Sequence, residues 1–252
     1  MSEERPHALD LDRVTPTKPP ADRARSGRQK WRNLLFTHWR LPVDAVRAIV
    51  PRELELDPWD GEMFVGCVPF EMEDIAPSWL PGMFALDFLE TNLRTYVHYK
   101  GEPGVYFFSL EAASRLAVQA ARWGWSLPYH HAAMSIDRRP GGLVSYSTVR
   151  SADPTAKLEI QYRVGDALGP SIPGSLEYFL LERYYLFSLR RGRVLKGHVH
   201  HVPYPSYRAT VESCACGLLG AAGLPQPDRA PDLVHFSPGV DVDVFGPWPV
   251  SG

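Results

Sequence analysis

The chain has little of several things that would define a function quickly. Its 252 residues include only three cysteines, Cys67, Cys214 and Cys216. The two that lie close together are too few for a disulfide framework or a complete zinc site. Lysine is sparse, at Lys18, Lys30, Lys100, Lys157 and Lys196. Neither charge dominates, with 27 Lys and Arg against 29 Asp and Glu, so no electrostatic footprint points to nucleic acid or to an anionic lipid surface. No apolar run approaches the roughly 20 residues that span a bilayer. The first 28 residues lack the apolar core of a secretion signal, so the expected location is cytoplasmic. No glycine-rich phosphate loop and no Gly-x-Ser-x-Gly elbow occurs, which leaves nucleotide and Ser-His-Asp chemistry without support.

Short extended segments separated by turns are abundant. Residues 1–28 carry almost no large apolar side chains and are expected to form a disordered arm; residues 29–252 are expected to form one domain. Strands are expected over 31–40, 53–56 and 63–72, with a short helix behind Pro42 that Pro51 stops. The hairpin 90–99/105–110 turns over Lys100-Gly101-Glu102-Pro103-Gly104. The period then changes: Ala113, Leu116, Ala117, Ala120 and Ala121 recur at helical spacing up to Gly124. Further strands are expected at 132–136, 143–149, 158–164, 184–189, 194–202, 207–211, 232–236 and 240–245, with one or two helical turns at 176–181. Aromatic residues make up 12% of the chain, which suits a β-rich core. Many strands and few helices argue a barrel or a sandwich, between which periodicity does not choose.

Three segments carry a resemblance: WRNLLFTHWRLPVDAVRAIVPRELELDPWDGEMFVGCVPFEM, LETNLRTYVHYKGEPGVYFFSLEAASRLAVQAARWGWSLPYHHA and YYLFSLRRGRVLKGHVHHVPYPSYRA. They resemble the YqjF-like, or DUF2071, family of uncharacterised proteins, which is similar in turn to acetoacetate decarboxylase. The resemblance runs from about Trp31 to Phe245. It implies a mainly β fold, a closed or partly closed antiparallel β-barrel with a few short helices and a central cavity for a small organic molecule. Decarboxylases of that kind place two lysines directly after the proline that follows the helix, and one of them forms a Schiff base with the ketone. Here Pro128 is followed by Tyr129-His130, so the resemblance carries over the pocket but not its imine chemistry. Glu90 matches an acidic residue of the decarboxylase cavity, and Arg32 matches an arginine there.

Alternation on the Glu90 strand puts Glu90, Asn92, Arg94, Tyr96 and His98 on one face. This row either lines a cavity, with Arg94 as the partner of Glu90, or forms a solvated outer face. Glu90, Tyr129 and His130 are the candidate catalytic groups for acid–base work on a carbonyl-bearing or aromatic compound, with Arg32, Asn92, Arg94 and Tyr96 as substrate contacts. The bland alternative for His130 is a buried imidazole bonded to backbone. His198, His200 and His201 resemble a metal tract, but two imidazoles on one strand face need a third ligand from elsewhere, so pocket lining or surface is preferred. No metal and no cofactor is expected. A non-catalytic binding module and a structural barrel filled with side chains stand as alternatives, and a homo-oligomer is left open.

Overall fold

The computed structural model describes residues 8–79 and 85–250. The strand expected from Trp31 is β1, Gly27–Leu41, and the helix behind Pro42 is α1, Val43–Arg47. Then follow β2 (Glu55–Leu56), β3 (Met63–Pro77), β4 (Leu86–Tyr99) and β5 (Glu102–Ala112). The helical spacing becomes α2, Arg115–Trp125, capped by Ser114, whose side chain accepts from the Ala117 amide. After it come β6 (Tyr129–Arg138), β7 (Leu143–Arg150), β8 (Lys157–Gly169), α3 (Leu176–Leu181), β9 (Tyr185–Arg190), β10 (Arg193–His200), β11 (Ser206–Cys216), α4 (Leu218–Ala221) and β12 (Leu233–Pro249). The two final strands expected from the sequence are this one long strand. β3 continues past the strand expected over 63–72 as far as Pro77, and residues 80–84 lie outside the described residues.

The β4–β5 hairpin closes at Lys100 and Gly101, both at positive φ (51° and 81°). That is the paired left-handed conformation that matches strand twist, and glycine adopts it without a Cβ penalty.

All twelve strands belong to one sheet that closes on itself. Nine of them form a ring in the order β5-β6-β7-β8-β11-β12-β1-β3-β4, closed by the β4–β5 pairing. The sheet also forks. β5 pairs β6 at Leu110–Ala112 and β9 at Val105–Tyr106, while β12 pairs β11 at His235–Phe236 and β10 at Asp243–Pro249. A second, smaller ring therefore closes through β9 and β10, and it shares β12, β1, β3, β4 and β5 with the first. Both junctions on β5 are parallel, which departs from the all-antiparallel expectation. The link from β5 to β6 runs through α2, the kind of crossover that a parallel pair requires.

The shared wall is buried on both sides. One face of β1, β3 and β4 supplies Leu35, Trp39, Val65, Cys67, Leu93 and Val97 to a core with Tyr146, Ile160 and Tyr162. The other supplies Leu34, Phe36, Val68 and Phe70 to a cluster with Val199, Tyr204 and Val242, and Phe64 and Tyr96 to one with α2 and α3. A strand covered on both faces loses the apolar–polar alternation of a half-solvated one.

Residues 8–28, expected to be a disordered arm, are placed against this body. Pro16 is buried in a short 3-10 turn, Thr15–Thr17. Arg13 donates to Asp57 at 2.6 Å, and the Pro16 and Thr17 carbonyls meet His198 and His200 at 2.8 and 2.9 Å. The segment is held by polar contacts to buried groups, which a count of apolar side chains does not register. Residues 1–7 lie outside the described residues.

Candidate functional site

Glu90 enters the wall from the middle of β4 and is 2% exposed. Its carboxylate accepts a hydrogen bond from the Tyr129 hydroxyl, Oη to Oε2, at 2.9 Å. Tyr129 opens β6 immediately after Pro128 and lies at the fork, where its register partner is Leu110. Burial raises the Glu90 carboxyl to about 8; the Tyr129 hydrogen bond opposes the rise and the Glu111 charge adds to it. Burial, then the neighbouring Glu90, pushes the Tyr129 hydroxyl well above the usual phenol range. At neutral pH the pair is thus a protonated carboxylic acid beside a neutral phenol. Such an acid can donate a proton to a ligand oxygen.

His130 does not join them. Tyr129 takes the side that faces Glu90, so alternation turns its neighbour to the opposite side. There the register partner of His130 is Glu111, whose carboxylate is paired with Arg150 at 2.5 Å. Burial, then the charges of Arg150 and Arg122, lower the imidazole to about 4. Of the three candidate catalytic groups, Glu90 and Tyr129 are brought together and His130 stands apart.

Arg94 does not pair with Glu90 either. The two lie four residues apart on one strand face, about 13 Å along the backbone at about 3.3 Å per residue. Arg94 turns instead towards α3 and β1: Nη2 approaches the Leu180 carbonyl at 3.4 Å and the guanidinium lies over Phe36, 5.5 Å from the ring centre. Tyr96 donates to the same carbonyl at 2.8 Å and bonds His38 Nε2 at 2.8 Å. Asn92 is buried, and its Oδ1 meets no partner. Arg32 lies apart from this row, bound to Asp241 at 2.5 Å and to the Val240 carbonyl at 2.9 Å. Its side chain is part-exposed and turned to the β12 side of β1, away from Glu90 and Arg94.

The histidine tract has a different role from the metal-like one its spacing suggested. His198 and His200 receive the N-terminal segment, and the His201 Nδ1–H donates to the Val202 carbonyl at 2.7 Å. Among the described residues, no three His, Cys, Asp or Glu side chains stand together to hold a metal. Two buried ion pairs escaped the sequence reading, Arg150–Glu111 and Arg183–Asp57. The one available signal was a carboxylate, Glu111, inside the apolar run from Val105 to Ala113.

A cleft of about 330 Å3 opens beside the Pro128–Tyr129 junction, walled by Phe107, Arg122, Leu127, Pro128 and Phe187 among others. Phe107 and Leu127 pack in the same cluster as Tyr129, so the cleft adjoins the residue that holds Glu90, although Glu90 does not line it. No helix among the described residues is long and apolar enough to cross a membrane.

Comparisons with known proteins agree with this architecture. Residues 28–241 match the DUF2071 family model, described as an uncharacterized conserved protein. The uncharacterized protein YqjF of Bacillus subtilis (strain 168) is 38% identical over 224 residues, covering 88% of this chain and 90% of that one. Among solved structures, the enduracididine biosynthesis enzyme MppR complexed with pyruvate superposes with a TM-score of 0.60 at 15% identity, over 99% of each chain. An acetoacetate decarboxylase-like enzyme from Sphingomonas wittichii RW1 gives 0.61 at 12% identity, over 91% of this chain and 94% of that one. At such identities the likeness speaks for the fold.

Proposed function

Since the chain belongs to the DUF2071 family and has the acetoacetate decarboxylase-like fold, we propose that it is a small-molecule pocket protein that performs acid–base chemistry on a carbonyl-bearing or aromatic compound. The observation that carries this reading is the buried Glu90–Tyr129 pair. Glu90 is the acid. Tyr129 fixes the carboxyl through Oε2 and leaves the other oxygen to present the proton to a ligand carbonyl. Such a donor acts best where water is excluded, because bulk solvent would weaken the hydrogen bond and compete for the carbonyl. A Schiff base is not part of the proposal, since Tyr129 and His130 follow Pro128 and neither has an amine to condense with a ketone.

The test uses acetophenone and pyruvate labelled with 13C at the carbonyl. Hydrogen bonding to an acid moves the carbonyl resonance downfield. The expected result is a downfield shift on binding at pH 6.5 that disappears as the pH passes about 8. Glu90→Gln keeps the shape of the side chain and should remove that pH dependence. A bound ketone whose resonance ignores pH between 6 and 9 would remove Glu90 from the chemistry. Absence of any bound ketone would remove the carbonyl assignment.

A further inference from the structure

Three arginines are buried: Arg94, Arg150 and Arg183. Arg150 is neutralised by Glu111 at 2.5 Å and Arg183 by Asp57 at 2.8 Å. Arg94, 7% exposed, meets no carboxylate among the described residues. It reaches only neutral acceptors, the Leu180 carbonyl at 3.4 Å and the Tyr96 hydroxyl, and its Nε meets no partner among the described residues. Asn92, two residues back on the same face, leaves Oδ1 unpartnered. The surroundings are aromatic. Phe36 lies under the guanidinium, Tyr204 is 5.2 Å from Phe36, and His201 is 4.5 Å from Tyr204. The Arg94 charge acts on both His201 and Tyr204, lowering each pKa against the larger effect of burial on Tyr204 and alongside it on His201.

A buried cation without a counter-charge is among the most expensive groups a fold can hold. A guanidinium without a counter-charge among aromatic side chains is a receptor for a planar anion, which a carboxylate fits by bidentate geometry. We propose that Arg94 is the anchor for the carboxylate of a small organic acid. The flanking Phe36 and Tyr204 rings supply apolar contact for the carbon skeleton.

The anchor stands on the unpaired guanidinium alone. Joined to the reading of Glu90 as the acid, it also sets the length of the ligand. Arg94 and Glu90 share one strand face about 13 Å apart along the backbone, so a ligand that serves both has its carbonyl several carbons away from its carboxylate. A long oxo acid fits this spacing better than a short one in which the two groups adjoin.

Two measurements on the full chain test the proposal. The first compares pyruvate, 4-oxopentanoate and 6-oxoheptanoate with their methyl esters by calorimetric titration. At least one acid should bind tenfold or more tightly than its ester, with the longer acids favoured. Arg94→Met should erase the difference, whereas Glu90→Gln should leave the preference for acid over ester in place. Equal binding of every acid and ester, no binding of any acid, or an acid preference that survives Arg94→Met would each overturn the anchor. If the anchor holds but pyruvate binds as well as the longer acids, the joint reading with Glu90 fails while the anchor stands. The second measurement needs no ligand. Arg94→Met should leave the thermal midpoint of the free protein unchanged or raised, because it removes an uncompensated buried charge. A large fall, or failure to fold, would show that Arg94 belongs to the structural network, and would overturn the proposal.

Discussion

The two faces of β4 differ in kind. On one, Thr91, Leu93, Thr95 and Val97 are all fully buried, and their polar atoms are satisfied: Thr91 bonds Thr148 at 2.8 Å and Thr95 donates to the Phe64 carbonyl at 2.8 Å. On the other, Glu90 holds its proton, and among the described residues Arg94 meets no carboxylate and Asn92 and His98 each leave an atom unpartnered. One strand therefore carries a saturated face, whose content is packing, and an unsaturated face with hydrogen-bonding capacity to spare. Natural folds rarely leave buried polar atoms unpaired, so within β4 the face that carries them is the one available for chemistry and the other is the one that holds the molecule together.

Four predictions would break or sharpen that contrast. The largest effect belongs to the saturated face: Leu93→Ala should cost about 2–5 kcal/mol in denaturant unfolding, since a fully buried leucine leaves a cavity that the two-sided wall cannot collapse into. A cost under about 1 kcal/mol would mean that this face is loosely packed.

Removing residues 1–26 comes next. It strips the Arg13–Asp57 pair and the carbonyls that meet His198 and His200, and should lower stability by about 1–3 kcal/mol, the penalty for leaving buried polar groups unsatisfied. An unchanged midpoint would return this segment to the status of a free arm.

The unsaturated face should show itself through pH. The Glu90 carboxyl is raised from 4.5 to about 8 in the folded state. Between those values the unfolded chain releases a proton that the folded chain keeps, so this residue makes stability fall as pH rises, by about 1.4 kcal/mol per pH unit, and contributes no further slope above about 8. Histidines held below their ordinary value, such as His38 and His201, act in the opposite direction, so the difference between wild type and Glu90→Gln is the quantity to measure. That difference should grow in favour of the variant from pH 5 to pH 8; a flat difference would place the Glu90 pKa near its ordinary value.

The smallest effect is expected outside both faces. Arg32→Ala removes a rim pair with Asp241 and should change stability by about 0–1 kcal/mol, as exposed ion pairs do. It should also leave ketone and oxo-acid binding unaltered. A loss of binding would restore Arg32 to the site.

Local patterns made much of this legible. Turn residues and alternation located nearly every strand, because Lys100-Gly101 and similar pairs dictate where a hairpin reverses regardless of what packs on it. The row from Glu90 to His98 was legible for the same reason, as side-chain direction along a strand follows from the pleat alone. The position of His130 was misread because alternation states only that it opposes Tyr129, not which of the two turns towards Glu90. The contacts of residues 8–26 left no trace in the local pattern, because they rest on Arg13 and two backbone carbonyls, and a carbonyl carries no sequence signature.

By itself, then, the sequence determined the succession of strands, the polar row on β4, and the Tyr129-His130 pair that follows Pro128. Those are local properties, set by backbone geometry and residue identity. Tertiary structure decided that the sheet forks at β5 and β12, that the wall between the two rings is buried on both faces, that Glu90 bonds Tyr129 rather than Arg94, and that Arg94 alone among the buried arginines lacks a carboxylate. Pairing between strands far apart in the chain depends on which faces find apolar cover, and a charge is paired or unpaired only once those distant strands have met.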